Sequence, residues 1–158
     1  MSSLDALYRD VVMDHHRHPR GAAPLARPAV HAEGVNPSCG DEVRLELDLA
    51  DGRIRDASVR THGCAVSTAS GSMLAELVRG RTIGEARRVA DVFKRVMQGE
   101  EPPTEVDLGD LEALTGVRKF PVRIKCALLP WVTLLDAVLA QEQGRAVATS
   151  TTEDGGDR

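Results

Sequence analysis

Three cysteines are the residues of this chain whose type and placement best suit chemistry. Cys39 follows Asn-Pro-Ser and precedes Gly-Asp, Cys64 follows Thr-His-Gly, and Cys126 follows Arg-Ile-Lys. Each is predicted to lie at a junction between two elements of secondary structure. Loops at the end of a sheet and the N-termini of helices can cluster in space, so the three thiols are able to converge on one centre.

The chemistry of such a centre follows from the acidity of thiols. A free cysteine has a pKa of about 8.5, and a helix N-terminus, a nearby cation or a metal ion lowers it. Cys64 and Cys126 are both predicted at helix N-termini, and Arg123 and Lys125 add positive charge beside Cys126. Three thiolates and the Asp41 carboxylate would complete a tetrahedral zinc site. Because a carboxylate exchanges more readily than a thiolate, Asp41 would make this site easier to open.

Cysteines that only fill the core are the alternative interpretation. Free cysteine is among the most buried residue types, so any one of the three could be structural. Their shared position at polar or glycine-flanked junctions favours metal or thiol chemistry for the set. A compact zinc knuckle is disfavoured because the chain contains no CxxC pair.

The strands that would position Cys39, Asp41 and Cys64 can be predicted from the hydrophobic pattern. Residues 43–49 alternate between apolar and charged side chains, which predicts a half-buried strand. The turn pair Asp51-Gly52 then predicts a hairpin to a second strand over residues 54–61. A weaker strand is predicted over residues 29–35.

Helical spacing of apolar residues predicts helices over residues 3–16, 64–79, 83–98, 108–114 and 126–143. Thr82 and Glu85 have the spacing of a capping box at the start of the third helix. Pro130 would fall in the first turn of the last helix, where a missing N–H is tolerated.

These elements predict an α+β domain over residues 1–143, with a small antiparallel three-stranded sheet and helices packed on one face. Residues 144–158 lack apolar periodicity and are predicted to form a disordered tail. The length of 158 residues suits a single domain, and 42% apolar with 28% charged residues is ordinary for a soluble globular protein.

The composition also excludes several classes of partner. A net charge of −4 and only four aromatic residues argue against a nucleic-acid surface. The apolar stretch over residues 127–140 contains Asp136 and is too short to span a bilayer. The N-terminus has acidic residues where a signal peptide would be apolar, so a cytoplasmic location is expected.

Four separate segments, in the same order along the chain, resemble one family. They are LYR with MDH within residues 7–15, NPSCGD at 36–41, GCAVS at 63–67 and GVRKFPVRIKCA at 116–127. Over residues 4–143 the chain resembles the SufU branch of the IscU/NifU-N family of iron–sulfur cluster assembly proteins. The additional helix over 83–98, Lys125 in place of a histidine and the absence of an LPPVK motif are similar to SufU and unlike IscU.

The resemblance implies an IscU/SufE-like fold with zinc ligands Cys39, Asp41, Cys64 and Cys126. It implies that Cys39 accepts persulfide sulfur from a SufS-type cysteine desulfurase, a histidine of which displaces Cys39 from zinc. The sulfur would then pass to a downstream SUF scaffold complex. Arg123 is placed to hold the displaced carboxylate or to steer the acceptor thiolate, and is therefore a candidate catalytic residue.

Two other functions remain open. The same cysteines could bind iron or an iron–sulfur cluster, in which case the protein would be a scaffold. Alternatively, zinc could only hold the fold, and the protein would activate the desulfurase by docking. If the chain is an enzyme, it is a sulfurtransferase that carries a persulfide.

Three histidines near the end of the first helix, His15, His16 and His18, also invite a metal interpretation. Adjacent histidines at a helix end do not point to one centre, and the resemblance gives them no role as ligands. They are predicted to be surface or helix-capping residues.

Overall fold

A long hairpin forms the middle of the sheet, as the alternating pattern predicts. In the computed structural model, which describes residues 3–152, strand β2 (Asp41–Ala50) pairs antiparallel with β3 (Arg53–His62). Strand β1 (Val30–Asn36) pairs antiparallel with the other edge of β2. Strand β2 begins at Asp41 and its partner β3 ends at His62. The hairpin therefore brings the junctions that carry Cys39 and Cys64 to the same end of the sheet.

A fourth strand lies outside the predicted domain. Strand β4 (Val147–Thr151) pairs parallel with β1, which gives the order β3-β2-β1-β4. The α+β class is confirmed, but the prediction of three antiparallel strands is incomplete, and the prediction of a disordered tail is wrong for β4. This strand is short and built from small and polar residues, so its apolar signal is weak. Residues 153–158 of that predicted tail lie outside the described residues.

The helices pack on one face of the sheet, as predicted. Helices α2 and α4 cover the sheet, α1 packs on α2, and α3 packs on α4. Within residues 3–152, no helix combines the length and hydropathy needed to cross a membrane. The helical segments are α1 (Ser3–Arg17), α2 (Ala65–Val78), α3 (Ile83–Met97), a 3-10 helix (Gly109–Val117) and α4 (Pro121–Glu142).

The capping box that the sequence predicts is present at the start of α3. The Thr82 side chain accepts the Glu85 backbone N–H at 3.0 Å, and the Glu85 carboxylate accepts the Thr82 backbone N–H at 3.0 Å. Two otherwise unpaired backbone donors are satisfied in this way. The inner face of α3 then contacts α4, where Phe93 lies with its ring centroid 5.7 Å from that of Trp131.

The last helix begins earlier than predicted. It starts at Pro121 instead of Cys126, because proline is well suited to the first helical position, where no N–H is needed. Pro130 therefore lies inside α4 and not in its first turn, which corrects the prediction. Inside a helix it leaves the carbonyl of Cys126 without its usual backbone donor. The early start also moves Cys126 away from the helix N-terminus.

Candidate metal centre

Four side chains converge at one end of the sheet. The Sγ atoms of Cys39 and Cys126 lie 3.6 Å apart, and Cys64 Sγ lies 3.7 Å from Asp41 Oδ2. The ligand atoms of Cys39, Asp41 and Cys126 are all within 4.8 Å of one another. These residues come from the β1–β2 loop, the start of β2, the β3–α2 junction and α4, so segments distant in sequence build one cluster.

The spacing and chemistry of these donors fit a tetrahedral zinc ion. Zn–S bonds of about 2.3 Å would separate two ligand sulfurs by roughly 3.8 Å. The separation of 3.6 Å between the sulfurs of Cys39 and Cys126 is close to that value. Three sulfurs with one carboxylate oxygen also belong to the donor types that zinc accepts.

A tight turn presents Cys39 at the tip of the β1–β2 loop. The backbone carbonyl of Asn36 accepts the N–H groups of Cys39 at 3.2 Å and Gly40 at 2.9 Å. Gly40 has φ of +72°, a left-handed conformation that residues with a side chain rarely adopt. The turn leaves Cys39 exposed, whereas Cys64 is half-buried and Cys126 is buried.

Asp41 is held in place by the start of α2. Its carboxylate accepts the backbone N–H of Cys64, the N-cap residue of that helix, at 3.0 Å. The prediction that Cys64 lies at a helix N-terminus is therefore confirmed. Gly63 makes this approach possible, since a Cβ at that position would lie only 2.8 Å from Asp41 Cγ. Asp41 itself is only 1% exposed, so its carboxylate is committed to this cluster.

Cys126 lies within α4 and not at its N-terminus, which corrects the sequence prediction. Burial, followed by hydrogen bonds with Asp41 and Cys64, raises the pKa of the Cys126 thiol well above its usual value. The buried amide of Asn36 donates an Nδ2–H to Cys126 Sγ at 3.6 Å. The raised pKa favours the protonated thiol, and binding of a metal ion would favour the thiolate.

Arg123 faces the same cluster from the first turn of α4. Its pKa is raised, first by attraction to Cys64 and then by Cys126, so the guanidinium lies beside two of the sulfurs. Arg123 is exposed. It shares an open groove with Cys39, Lys119, Phe120, Pro121 and Val122.

The three histidines do not form part of this cluster. His18 is exposed and His16 is half-buried, but His15 is buried, so its prediction as a surface or capping residue is wrong. Its Nδ1 lies 2.7 Å from the Ser72 hydroxyl and its Nε2 lies 2.8 Å from Asp110. His15 thus joins α1 to α2 and to the 3-10 helix.

Asn36 and Gly63 are the two contributors that the sequence analysis missed. Each lies close to a cysteine in the chain, in Asn-Pro-Ser-Cys and Gly-Cys. Their closeness in sequence to Cys39 and Cys64 is the one feature from which a role at the site could have been predicted. The contacts themselves depend on how β1, β3 and α4 meet, which no local pattern reports.

The close approach of Gly63 to Asp41 generates a testable prediction. Gly63→Ala should displace the Asp41 carboxylate and lower zinc affinity by roughly ten- to a hundredfold, the range for residues that orient ligands. The measurement is competition with a chromogenic chelator. Gly116→Ala is the control, because a Cβ there meets nothing within 4 Å. Equal affinity in the Gly63 variant and the wild type would contradict the described packing.

The sequence matches a family model and several curated proteins. Residues 7–127 match the NifU-like N terminal domain. The chain is 42% identical to the zinc-dependent sulfurtransferase SufU of Bacillus subtilis, over 90% of this chain and 97% of the relative. It is 36% identical to the iron–sulfur cluster assembly scaffold protein IscU of Streptococcus pyogenes, over 98% of this chain and 97% of the relative.

Solved structures agree with these sequence matches. One, from Fervidobacterium islandicum AW-1, is described as an iron–sulfur cluster assembly scaffold protein for the SUF system. It has a TM-score of 0.77 and 34% identity, and the match covers 82% of this chain and 94% of that one. An N-terminal NifU-like protein from Brucella abortus has a TM-score of 0.80 and 26% identity, with 90% and 99% coverage. The chain therefore belongs to the NifU-like N-terminal domain family, which includes the SufU and IscU proteins of iron–sulfur cluster assembly.

Proposed function

We propose that this protein is a zinc-dependent sulfurtransferase of the SUF pathway, which accepts persulfide sulfur from a SufS-type cysteine desulfurase. The observation that carries the proposal is the graded exposure of the three thiols, with Cys39 exposed and Cys126 buried. One thiol is thus available to a partner while the other donors stay in the protein. The 42% identity to a SufU protein of that activity supports the same function.

Cys39, Asp41, Cys64 and Cys126 are the residues that would hold the zinc ion. Bound zinc would keep the thiolates deprotonated at neutral pH and protect them from oxidation. Asp41, Cys64 and Cys126 are held by β2, the start of α2 and α4. Because Cys39 lies on a loop, it is the ligand that can leave with the least disturbance of the fold.

Cys39 is the proposed sulfur acceptor. Its thiolate attacks the outer sulfur of the desulfurase persulfide, the donor S–S bond breaks, and the donor cysteine leaves as a thiolate. A new S–S bond forms on Cys39, so one sulfur atom moves and no external oxidant or reductant is consumed. The open groove beside Cys39 gives the approaching persulfide room to reach this sulfur.

Arg123 is the second proposed catalytic residue. Its guanidinium lies beside Cys64 and Cys126, and it lines the groove next to Cys39. A fixed positive charge there would attract the anionic persulfide and stabilise the thiolate that attacks it. Arginine keeps this charge at any physiological pH.

The groove and its rim form the proposed docking surface for the desulfurase. Phe120 and Val122 are large apolar residues of this groove that are 53% and 56% exposed. Lys119 and Arg123 add positive charge to the same surface. Exposed aromatic and apolar residues beside arginine are typical of interface centres. We further propose that the protein works in the cytoplasm and passes its sulfur to a downstream SUF scaffold complex.

The alternative function is that of a scaffold, in which iron or an iron–sulfur cluster occupies the same cysteines. The observation that favours it is the 36% identity to a relative that is named as a scaffold protein. Lys125 favours the sulfurtransferase, because scaffolds of the IscU type have a histidine at that position. The two functions differ in the metal that the purified protein should contain.

Sulfur acceptance at Cys39 can be tested directly. After incubation with a SufS-type desulfurase and free cysteine, the wild type should gain sulfur, and peptide mapping should locate it on Cys39. Cys39→Ser should gain none, since serine cannot form a persulfide. Circular dichroism would verify that the variant is folded. Sulfur acceptance by Cys39→Ser at the wild-type rate would contradict the assignment.

Arg123→Ala tests the role of the guanidinium. Loss of the fixed positive charge beside the thiol cluster should slow sulfur transfer by roughly tenfold or more, while the zinc content stays unchanged. Lys119→Ala removes an equal charge from the same groove and is the matched control, with both variants assayed at saturating desulfurase so that weaker docking does not limit the rate. Loss of zinc from the Arg123 variant, or equal slowing in both variants, would contradict a specific role for Arg123.

A further inference from the structure

The side chains of β4 alternate between the two faces of the sheet. Ala148 and Ser150 are buried beneath α4, and Thr149 is exposed on the opposite face. Residues two apart in a strand share a face, so Thr152, just after the strand, continues the buried row. Ser150 pairs with Gly34 in the parallel register. Two residues further along both chains, Thr152 therefore lies beside Asn36.

Two hydrogen bonds tie Thr152 to the end of β1. Its backbone N–H donates to the carbonyl of Val35 at 3.2 Å, and its Oγ1–H donates to Asn36 Oδ1 at 3.0 Å. The same Asn36 amide donates its Nδ2–H to Cys126 Sγ at 3.6 Å. A continuous chain of hydrogen bonds therefore runs from the C-terminal segment to a sulfur of the candidate metal centre.

The direction of these bonds determines how the Asn36 amide acts on the sulfur. An amide has one acceptor end and one donor end, and Asn36 is fully buried. With Thr152 donating to Oδ1, Nδ2 faces Cys126 and can stabilise a thiolate there. Without this hydroxyl, the buried Oδ1 loses a donor, and the amide is no longer held in the orientation that directs Nδ2 at Cys126.

We propose that Thr152 is a positioning residue of the metal centre, acting through Asn36 on the Cys126 thiolate. This inference rests on the proposed function, since it takes the centre to hold zinc. Residues that orient metal ligands through hydrogen bonds contribute about ten- to a hundredfold in metal affinity. Thr152 acts through one intervening side chain, so an effect of about tenfold is expected.

The coupling must also act in the opposite direction. If docking of β4 strengthens zinc binding, then zinc must stabilise the docked strand by the same factor. Strand β4 is a short edge strand that pairs only with β1 among the described strands. Such elements open more readily than the core, so amide exchange in residues 147–152 should slow when zinc is added.

The experiment compares Thr152→Val, Thr152→Ser and Thr149→Val with the wild type. Zinc affinity is measured by chelator competition, and amide hydrogen exchange over residues 147–152 is measured with and without zinc. Thr152→Val should lose about tenfold in affinity, in the lower part of the range for such contacts, and most of the zinc-dependent protection. Thr152→Ser keeps the hydroxyl and should restore both, and Thr149→Val should match the wild type.

Each other outcome has a distinct meaning. Wild-type affinity in Thr152→Val would overturn this inference and leave the proposed function intact. Equal losses of zinc affinity in Thr149→Val and Thr152→Val, or no recovery of affinity in Thr152→Ser, would mean that the substitutions only destabilise β4. Either result would also overturn this inference. A wild type that binds no zinc would contradict the proposed function, and this inference with it.

Discussion

The structure depends on holding three sulfurs and one carboxylate within a few ångströms of one another. Donors of this kind repel one another once they are ionised, and burial strengthens that repulsion. The pKa of the Cys126 thiol is raised first by its burial, then by hydrogen bonds with Asp41 and Cys64, and further by the negative charge of Cys64. A cation at the centre would turn the same repulsion into attraction, so the cluster is stable either as neutral thiols or as thiolates around a metal. Three backbone features hold these donors together. The turn at Asn36 presents Cys39, Gly63 leaves room for the Asp41 carboxylate, and α4 places Cys126 in the cluster.

Much of the fold could be predicted because its main elements carry their own patterns. The β2–β3 hairpin alternates in period two, and α1 and α3 show helical spacing with a capping box at Thr82. Strand β4 could not be predicted in this way, because Val147–Thr151 becomes a strand only by pairing with β1, more than a hundred residues earlier. The predicted helix over residues 126–143 leaves out the first residues of α4, which starts at Pro121, although proline often begins a helix.

In the candidate site, too, one part could be predicted from the sequence and another part could not. The donor residues could be predicted from their chemical types and from the junctions where they lie. Their environment could not, since the burial of Cys126 follows from the early start of α4, and the contacts of Asn36 follow from the meeting of β1, β4 and α4. His15 was misjudged for a related reason. Its partners Ser72 and Asp110 lie on elements far away in sequence, so local polarity suggested a surface position.

Metal analysis of the anaerobically purified protein tests the central claim most directly. The account predicts about one zinc per chain, with little iron and no acid-labile sulfide, and a lower zinc content in Asp41→Ala. Iron together with sulfide would contradict the sulfurtransferase and favour the scaffold. A folded wild type with neither metal, unable to take up zinc under reducing conditions, would contradict the metal centre itself.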